Sequence, residues 1–557
     1  MDNKDEVNAS EPESPDIHYS GETQNNKTMK SSNPVRLIIL LFMLAVSICF
    51  LGFTILQGGG SHFGTFGRMV QYSPAFAGNG TERRPYRIST AEDLARIATM
   101  VNNGSAFAGR HFILTNDIDL TGFLSVDGAG HNNGAGWCQI GRHDRLPFSG
   151  YFDGAGHTVS GLWISRGSEP YIGLFGFIDN AKIRNLHVEI AEGKAVTGGV
   201  SIGVLVGLSY GGVIENSSVS GTIRVETRES AVVGGMVGSA FAEAIILNSE
   251  ANVNIYADLT SENGRISAGG LVGALYQNSS ITNSIARGNI TATGSRSNAG
   301  GLVGHQGGLE SILRGNSTIT DSIARGDVTA TGFAPIAGGL VGSQVSGSVI
   351  NCKSYSMVTS NAPFTTEEDA IASGGGLVGF MGYYDTATFI IVMYSSASGN
   401  VSVSGHFAAA GGLVGSQLSG KIANSYAAGN VSATGSMERS STAVPGGLVG
   451  FSDKGTIIKN CFATGRVCAS GFSVFTGGLL GIVLGDVENS YFDIDTTGQQ
   501  FGSGYREFVL PDITAVAKNT PEMMKQETFT GWDFENIWDI LEGESYPFLR
   551  RASERGM

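Results

Sequence analysis

Charged residues are scarce in this chain, and basic ones are scarcer than acidic ones. Only 15% of the 557 residues are charged, and 49 Asp and Glu against 35 Lys and Arg give a formal net charge of −14. This balance argues against a nucleic-acid-binding surface, which depends on clustered Lys and Arg. Cysteine is rare too: there are five, with no Cys-x-x-Cys pair, so the usual zinc-ligand spacing is missing.

Glycine is the residue in excess, with 82 copies, and it marks a repeat. The motif Gly-Gly-Leu-Val-Gly stands at Gly269–Gly273, Gly300–Gly304, Gly338–Gly342, Gly375–Gly379, Gly411–Gly415 and Gly446–Gly450, with looser copies at Gly173–Gly176, Gly203–Gly207, Gly234–Gly238 and Gly477–Gly481. Successive starts from Gly203 onward lie 31 to 38 residues apart. A period of this size indicates a solenoid or repeat array.

A second shared segment follows the glycine motif and alternates with the period of a β-strand. The parity of the alternation changes at Asn424-Ser425, so the chain must bend there to keep one face buried. Asn suits such a corner because it tolerates left-handed backbone angles. One repeat is therefore predicted to be a strand at Gly-Gly-Leu-Val-Gly, a turn, a short strand, a bend at Asn-Ser, and a longer strand.

These patterns predict an all-β fold, a right-handed parallel β-helix (β-solenoid) of about ten rungs with an Asn ladder along one edge. The predicted structural repeat positions are Gly270, Leu271, Gly301, Leu302, Gly339, Leu340, Gly412, Leu413, Asn283 and Asn424. A β-propeller is the alternative, since its blades recur at about 40 residues. Its antiparallel hairpins and repeated aromatic signatures do not appear in these repeats.

Small α-containing caps are expected at both ends, because open solenoid ends present unpaired strand edges. Near the N-terminus, Ser89–Glu92 reads as a capping box that opens an amphipathic helix ending at Gly104. At the far end, Thr520-Pro521-Glu522 opens a short helix with Pro first. Trp532 and Trp538 in the tail predict an aromatic plug over the last rung, with a carbohydrate-stacking surface as the alternative.

The apolar run Leu37–Leu56 is long enough to span a bilayer as one helix. Arg36, Lys30 and Lys27 precede it, so the positive-inside rule places the N-terminus in the cytoplasm and the bulk outside the cell or in the periplasm. A cleaved signal peptide is the competing interpretation. The predicted organisation is a disordered cytoplasmic tail (1–35), a transmembrane signal anchor (36–57), a Gly-rich stalk (58–80), an N-terminal capping module (81–170), the repeat β-helix (171–492) and a C-terminal cap (493–557).

Two of the cysteines occupy equivalent positions of the repeat. Cys352 and Cys461 stand where other repeats have Ser, three rungs or roughly 14 Å apart. This separation is too great for a disulfide. We therefore predict buried thiols that fill a Ser position, and no disulfide framework.

Acidic residues gather near the ends of the repeat array. Asp117 and Asp119 share a strand face and are candidates for a structural Ca²⁺, although a solvated edge is the simpler interpretation. Asp493 and Asp495 have the same two interpretations. His157 near Asp153 could serve acid–base chemistry, but a corner hydrogen bond is the simpler expectation. No other cofactor is predicted.

The repeat resembles the GLUG-motif proteins, known among bacterial surface proteins and in the N-terminal part of IgA-specific metallopeptidases. The resemblance also covers Pro85–Ala95, Leu114–Leu120 and Phe152–His157, which are similar to the segment that precedes such repeats. It implies an extracellular, bacterial surface protein. The peptidases carry a zinc-binding His-Glu-x-x-His, and this sequence has none, so the resemblance does not extend to proteolysis.

We therefore expect a membrane-anchored extracellular β-solenoid that acts as an adhesin or ligand-binding scaffold without catalytic activity. Its polar, uncharged Ser, Thr and Asn side chains suit weak repeated contacts with a glycan or a protein. One alternative is a polysaccharide-degrading β-helix enzyme, which needs paired carboxylates and would depend on Asp153 or Asp493. The other is a passive structural spacer on the cell surface.

Overall fold

The structure is a computed structural model, and it describes residues 76–167, 169–308, 315–363, 370–382, 390–438, 440–506 and 513–550. These residues form stacked coils of parallel β-strands with few helices. One sheet contains ten strands, one for each of ten successive coils. The expectation of an all-β parallel solenoid of about ten turns is confirmed, while its handedness remains a prediction.

Three parallel ladders make up the widest sheet. The first ladder contains Tyr86–Ile88, His111–Leu114, Tyr151–Asp153, Lys182–Arg184, Val213–Glu215, Ile245–Leu247, Ser280–Thr282, Thr318–Thr320, Gly347–Ile350, Ile390–Met393, Lys421–Ala423, Ile457–Lys459, Asp486–Asp493 and Ile513–Lys518. The second contains Ile118–Asp119, Thr158–Leu162, His187–Ile190, Ser218–Thr227, Glu250–Leu259, Ile285–Ala286, Ile323–Ala324, Lys353–Ser354, Ser396–Ala397, Tyr426–Ala427 and Phe462–Ala463. The third contains Ile164–Ser165, Val196–Thr197, Ile290–Thr293, Val328–Thr331, Val358–Asn361, Val401–Ser404, Val431–Thr434 and Val467–Ser470, and the long strands Ser218–Thr227 and Glu250–Leu259 extend into it.

Two further ladders lie on either side of the glycine motif. The fourth ladder precedes it and contains Tyr171–Ile172, Ser201–Ile202, Ala231–Gly234, Arg265–Gly269, Arg296–Gly300, Ile336–Gly338, Ile371–Gly375, Phe407–Gly411, Thr442–Gly446 and Ser473–Val474. The fifth follows it and contains Phe175–Asp179, Val206–Tyr210, Val237–Phe241, Val272–Leu275, Val303–Gln306, Val341–Gln344, Val378–Met381, Val414–Gln417, Val449–Ser452, Leu480–Val483 and Ser503–Arg506. Short strands Val206–Tyr210 and Ser201–Ile202 show that even the looser copies follow this plan.

The glycine motif is a corner between two strands, and the prediction that it forms one strand is wrong. In the copy at Gly269–Gly273, one strand ends at Gly269 and the next begins at Val272, and Leu271 is fully buried at the turn between them. A Cβ atom on Gly269 would clash with the carbonyl oxygen of Val272, and one on Gly270 would clash with the carbonyl oxygen of Gly301 in the next coil. The motif is glycine-rich because two backbones meet there at closest approach.

The predicted bend and Asn ladder are confirmed. Asn283 and Asn424 have φ angles of 48° and 47°, in the left-handed region. The side-chain amide of Asn283 donates to Oδ1 of Asn248 in the preceding coil at 2.8 Å, and that of Asn460 donates to Oδ1 of Asn424 at 3.2 Å. These bonds run parallel to the solenoid axis and tie successive corners together.

A column of buried Ser and Cys side chains lies just inside the Asn corner. Each Oγ accepts a hydrogen bond from the backbone of the preceding coil, as Ser395 does from the Cys352 amide at 3.1 Å and Ser425 does from the Ser395 amide at 3.2 Å. Cys352 and Cys461 are fully buried, and burial raises the pKa of each thiol to about 12. The prediction of buried thiols in a Ser position is therefore confirmed.

The N-terminal cap contains the predicted helix, α1 (Ala91–Asn102). Its N-cap is Thr90, whose hydroxyl accepts from the Asp93 amide at 3.1 Å, while Asp93 accepts from the Ser89 amide at 3.2 Å. The capping pair is therefore one residue later than the predicted box. Asn102 joins the helix to the first coils, because its side chain donates to the Gln139 carbonyl at 3.0 Å.

The C-terminal cap contains two short helices, α2 (Ile494–Thr497) and α3 (Thr520–Met523), the 3₁₀ turn Gln526–Thr528, and the antiparallel pair Trp538–Asp539 and Phe548–Leu549. A second 3₁₀ turn, Asn132–Gly134, belongs to the N-terminal cap. In α3 the N-cap is Asn519, so Pro521 is the second helical residue rather than the predicted first.

The aromatic residues of the C-terminal cap pack along the outer flank of the solenoid. Ring centres lie 6.3 Å apart for Trp538 and Tyr426, 5.9 Å for Trp538 and Phe462, and 5.8 Å for Trp532 and Tyr491. Tyr426, Phe462 and Tyr491 are outward side chains of three successive rungs. The predicted aromatic cluster therefore covers the flank of the solenoid, and the prediction that it covers the last rung is wrong. The cluster is part of the protein core rather than an exposed surface at Trp538, which is fully buried.

The predicted tail (1–35) and signal anchor (36–57) lie outside the described residues, as does the stalk up to residue 75. The last residues of the predicted stalk belong to the folded cap, since Phe76 packs against Tyr86 with ring centres 5.6 Å apart. Among the described residues no helix is both long and apolar enough to cross a membrane.

Candidate functional site

Asp117 and Asp119, the candidate ligands for Ca²⁺, each accept hydrogen bonds from different residues. Asp117 accepts hydrogen bonds from the Thr158 amide at 3.0 Å and from His157 Nδ1 at 3.1 Å, and these bonds lower its pKa. Asp119 accepts from Thr121, whose hydroxyl and amide lower the Asp119 pKa. In the described ranges no group of three or more His, Cys, Asp or Glu side chains is placed to hold a metal ion. A structural Ca²⁺ remains a prediction.

His157 makes the expected corner hydrogen bond, although its partner is Asp117 rather than Asp153. Asp153 instead forms an ion pair with Arg184 at 2.9 Å and accepts from the Asn185 side chain at 3.0 Å. Asp153 and Arg184 line a cavity of about 280 Å³ near the N-terminal cap, beside the stacked rings of His111 and Tyr151.

Asp493 is a buried joint between the last coils and the C-terminal cap. Its Oδ1 accepts from the Asp495 and Thr496 amides at 2.8 and 3.2 Å, which caps α2. Its Oδ2 accepts from the hydroxyls of Tyr546 and Thr520, both at 2.7 Å. Asp495 accepts from the Thr520 amide at 3.0 Å. All four bonds to Asp493 are structural.

Asp153 and Asp493 cannot act on one glycosidic bond. Ten pairings separate their strands along the first ladder. Ten rungs correspond to about 48 Å, whereas paired glycosidase carboxylates lie within about 10 Å of each other. The two residues on which the enzyme alternative depended therefore belong to opposite ends of the molecule.

The outer surface of the third ladder carries two columns of hydroxyl and amide side chains, here called the hydroxyl face. Its members are uncharged, half-buried or exposed, and in register over five coils: Thr291, Thr329, Thr359, Ser402 and Ser432 in one column, and Thr293, Thr331, Asn361, Ser404 and Thr434 in the other. The inward neighbours of these residues are Ile, Val, Ala and Ser, which fix the strands to the core.

Regular spacing follows from the ladder geometry. Side chains of one column repeat every 4.7–4.9 Å along the axis, and the two columns lie about 6.6 Å apart because they are two strand residues from each other. Asn side chains brace the edge of the face: Oδ1 of Asn289 accepts from the Asp327 amide at 2.9 Å, and Oδ1 of Asn400 accepts from the Asn430 amide at 3.0 Å. The face is therefore a regular, repetitive array of hydrogen-bonding groups on hydrogen-bonded strands.

A groove of about 660 Å³ adjoins the first rung of the hydroxyl face, and it is here called the Tyr256 groove. Its lining includes Arg224, Glu226, Tyr256, Asp258, Thr291 and Thr293. The Arg224 guanidinium lies 4.5 Å from the centre of the Tyr256 ring, and 42% of Tyr256 is exposed. In this part of the wall the second and third ladders merge into single ten-residue strands.

The groove residues were not among the sequence candidates. Both long strands lie in coils that follow the shared segment, since Ile214, Asn216 and Ile223 match Ile281, Asn283 and Ile290. The repeat pattern alone therefore does not mark their outward residues as a site. A usable signal exists in Thr222–Thr227 and Asn252–Asp258, where charged or aromatic residues alternate with Val, Ile and Ala. Such alternation predicts an outward row of chemically distinct side chains on an otherwise uncharged wall.

Comparison with protein families finds the GLUG motif at residues 198–224 and 264–291. The chain therefore carries the motif that its repeats resemble. Two curated relatives match parts of it. A protein of Evansella cellulosilytica, named as a Gly-rich membrane protein, is 34% identical over 28% of this chain and 13% of its own length. Halomucin of Haloquadratum walsbyi is 32% identical over 32% of this chain and 2% of its own length.

Two solved structures are similar to this chain only at low overall superposition. One is an IgA1 protease, 19% identical, with a TM-score of 0.39 over 56% of this chain and 21% of the other. The second, described as an immunoglobulin A1 protease of Bacteroides ovatus, is 17% identical, with a TM-score of 0.30 over 85% of this chain and 94% of the other.

Proposed function

We propose that this chain, a β-solenoid that carries the GLUG motif, is an extracellular binding scaffold, an adhesin whose hydroxyl face lies along a neutral glycan. The observation that carries the proposal is the in-register, uncharged array of Thr, Ser and Asn over five coils. A hydroxyl both donates and accepts, so it matches the hydroxyls of a neutral sugar in either direction.

The geometry favours a long ligand over a small one. A single exposed hydrogen bond contributes only about 0.5–1.5 kcal/mol net, which is too little for specific capture. Repeated contacts raise the total affinity, since a polymer bound at one rung is already at high effective concentration near the next rung. Side chains that stand on hydrogen-bonded strands also lose little conformational entropy on binding.

The test is a glycan and polysaccharide array probed with the full chain in mild detergent, with and without Ca²⁺. The key variant is Thr329→Val/Thr331→Val/Thr359→Val, which keeps shape and removes three hydroxyls. We expect affinity for a neutral glycan to fall about tenfold or more. The Ser triple variant at the same positions keeps the hydroxyls and is the control. Equal binding by the wild type and the Val variant would refute the proposal.

Membrane anchoring is part of the same proposal. Leu37–Leu56 is apolar over the length of a bilayer span, and Arg36 precedes it. The name of the Evansella relative, a Gly-rich membrane protein, supports this placement. In intact cells, an impermeant maleimide should label Cys468, the exposed thiol of the described residues, but not a cysteine introduced at Ser14. The reverse labelling pattern would overturn the orientation.

Two other functions remain as alternatives. A polysaccharide-degrading enzyme predicts that products appear when the chain is incubated with a glycan that it binds. A passive spacer predicts no specific glycan binding at all. The two curated relatives do not favour the enzyme or the spacer, because this chain spans only 13% and 2% of their lengths.

A further inference from the structure

The Tyr256 groove lies where the outer surface of the solenoid changes from charged and aromatic side chains to the hydroxyl face. Strands Ser218–Thr227 and Glu250–Leu259 are paired in register over ten positions, whereas in the next coil the corresponding segment is divided into Ile285–Ala286 and Ile290–Thr293. The groove leads directly onto Thr291 and Thr293, the first rung of the hydroxyl face. A polymer lying on the face therefore passes through the groove, and one of its units can be recognised there.

Tyr256 supplies a platform in this groove. Its ring is held by the Arg224 guanidinium, 4.5 Å from the ring centre, and 42% of the residue remains exposed. An exposed aromatic ring has an apolar face and a polar edge, so it can contact a partner that also has an apolar face. The C–H face of a sugar ring is such a partner, and the Tyr hydroxyl adds a polar contact at the ring edge.

Two carboxylates distinguish the groove from the rest of the face. Glu226 and Asp258 are register partners on neighbouring strands, so their Cα atoms are about 4.8 Å apart. Both are exposed, and within the described part of the chain neither forms an ion pair with a Lys or Arg. Like charges directly opposite each other destabilise a sheet. A cation seated between them would relieve that repulsion.

The cation that fits is an ammonium group rather than a metal ion. Metal ions such as Ca²⁺ need six or more converging oxygen ligands, and no group of three or more acidic, His or Cys side chains comes together in the described ranges. An ammonium needs only two or three acceptors, which Glu226, Asp258 and the Thr293 hydroxyl in the next rung supply.

We propose that the Tyr256 groove binds a hexosamine unit with a free amino group, which stacks on Tyr256 and places its ammonium between Glu226 and Asp258, while neighbouring sugar units lie along the hydroxyl face. The proposal rests on the function proposed above and names the glycan class: a largely neutral polymer that contains some non-acetylated amino sugars. The net charge of −14 favours approach of the cationic amino groups of such a polymer.

The test compares three hexamers on the full chain in mild detergent: glucosamine hexamer, N-acetylglucosamine hexamer and cellohexaose. We expect glucosamine hexamer to bind about tenfold more tightly than N-acetylglucosamine hexamer. Added salt should reduce this ratio of affinities, because salt screens the attraction between the ammonium and the carboxylates. Glu226→Gln/Asp258→Asn should abolish the preference for glucosamine hexamer over its acetylated counterpart. Tyr256→Ala should weaken all three hexamers, whereas Tyr256→Phe should keep most of the affinity.

The outcomes separate this proposal from the broader one. Equal affinity for the amino and acetylated hexamers, or a preference that survives the double substitution, would overturn the groove proposal. If cellohexaose does not bind but glucosamine hexamer binds with the expected dependence on Glu226 and Asp258, the groove proposal stands and the neutral-glycan proposal falls. Unchanged far-UV circular dichroism of each variant shows that the fold is intact.

Discussion

At the scale of single residues, the repeat is governed by backbone approach. The two leading glycines of each Gly-Gly-Leu-Val-Gly motif stand where a Cβ would meet a carbonyl oxygen, either across the corner or in the next coil. A Ser or Cys then fills one buried column, and the second corner is turned by Asn in most coils and by Asp321 and Tyr394 in two of them. Each of these positions has a steric or hydrogen-bonding reason that recurs from coil to coil.

Replacing a corner glycine should destabilise the fold. In Gly301→Ala the new methyl would clash with the Gly339 carbonyl and lie 2.9 Å from the Ala324 methyl. We expect a loss of roughly 1–3 kcal/mol, the usual cost of overpacking, seen as a lower Tm. Gly122→Ala is the matched control, because no atom lies within 4 Å of its Cβ position. Equal Tm values for both variants would contradict this account of the motif.

The Asn corner can be divided into its backbone and side-chain parts. Asn283→Gly keeps the left-handed conformation and loses only the hydrogen bond to Asn248, so about 1 kcal/mol should be lost. Asn283→Ala adds the cost of left-handed Ala, about 1–2 kcal/mol more. Urea denaturation of the two variants measures the difference. A Gly variant as unstable as the Ala variant would mean that the ladder bond dominates.

The sequence pattern predicts the corner at Asn but not the corner at the glycine motif. At Asn424-Ser425 the alternation of inward and outward side chains changes parity, so the bend can be predicted. The glycine corner gives no such signal, since three of its five residues have no side chain to assign to a face. The hydroxyl face is visible as alternating Thr and Ser, whereas Arg224 and Tyr256 occupy a position of the shared segment that holds Thr or Ser in later coils, so the repeat pattern does not mark them as a site.

At the scale of elements, the C-terminal cap is attached to the flank of the solenoid near its C-terminal end, at the rungs of Tyr426, Phe462 and Tyr491. Its aromatic residues pack on outward rings of the second ladder, and Asp493 bonds both Tyr546 and Thr520. The tail composition predicts an aromatic cluster, but not its place. That depends on Tyr426 and Phe462 being outward, which only the register of the whole ladder decides.

This attachment should weaken in alkaline solution. Burial and the hydrogen bond to Asp493 raise the pKa of Tyr546 to about 12, against 10.0 for an ordinary Tyr. The folded state therefore holds a proton that the unfolded state releases, so the stabilisation is complete below pH 10 and is lost between pH 10 and about 12. Tryptophan fluorescence of Trp532 and Trp538 should report the loosening.

Tyr546→Phe is the control for this pH dependence. It removes the titrating hydroxyl, so the fluorescence change between neutral and alkaline pH should become smaller, although the cap is weaker at neutral pH. Burial also raises the pKa of Tyr426 and Tyr491, so part of the change should remain. An unaltered alkaline transition in the Phe variant would show that the Asp493 joint does not hold the cap.

At the scale of the whole molecule, the solenoid behaves as a stack of equivalent coils. Ile391 and Lys421 are register partners, so removing residues 391–420 deletes one coil and joins Ile390 to Lys421. We expect a folded chain that is about 4.8 Å shorter, with normal circular dichroism. Removing residues 391–405 leaves half a coil and breaks the register, so loss of cooperative unfolding is expected. Equal tolerance of both deletions would contradict the coil assignment.

The most direct test of the central claim is the affinity of the one-coil deletion for the neutral glycan that the array identifies. If the hydroxyl face binds along several rungs, removing residues 391–420 takes Ser402 and Ser404 from it. The predicted result is several-fold weaker binding of long glycans and unchanged binding of fragments short enough to occupy a single rung. Unchanged affinity for long glycans in a correctly folded, shortened chain would contradict the account and favour a passive spacer.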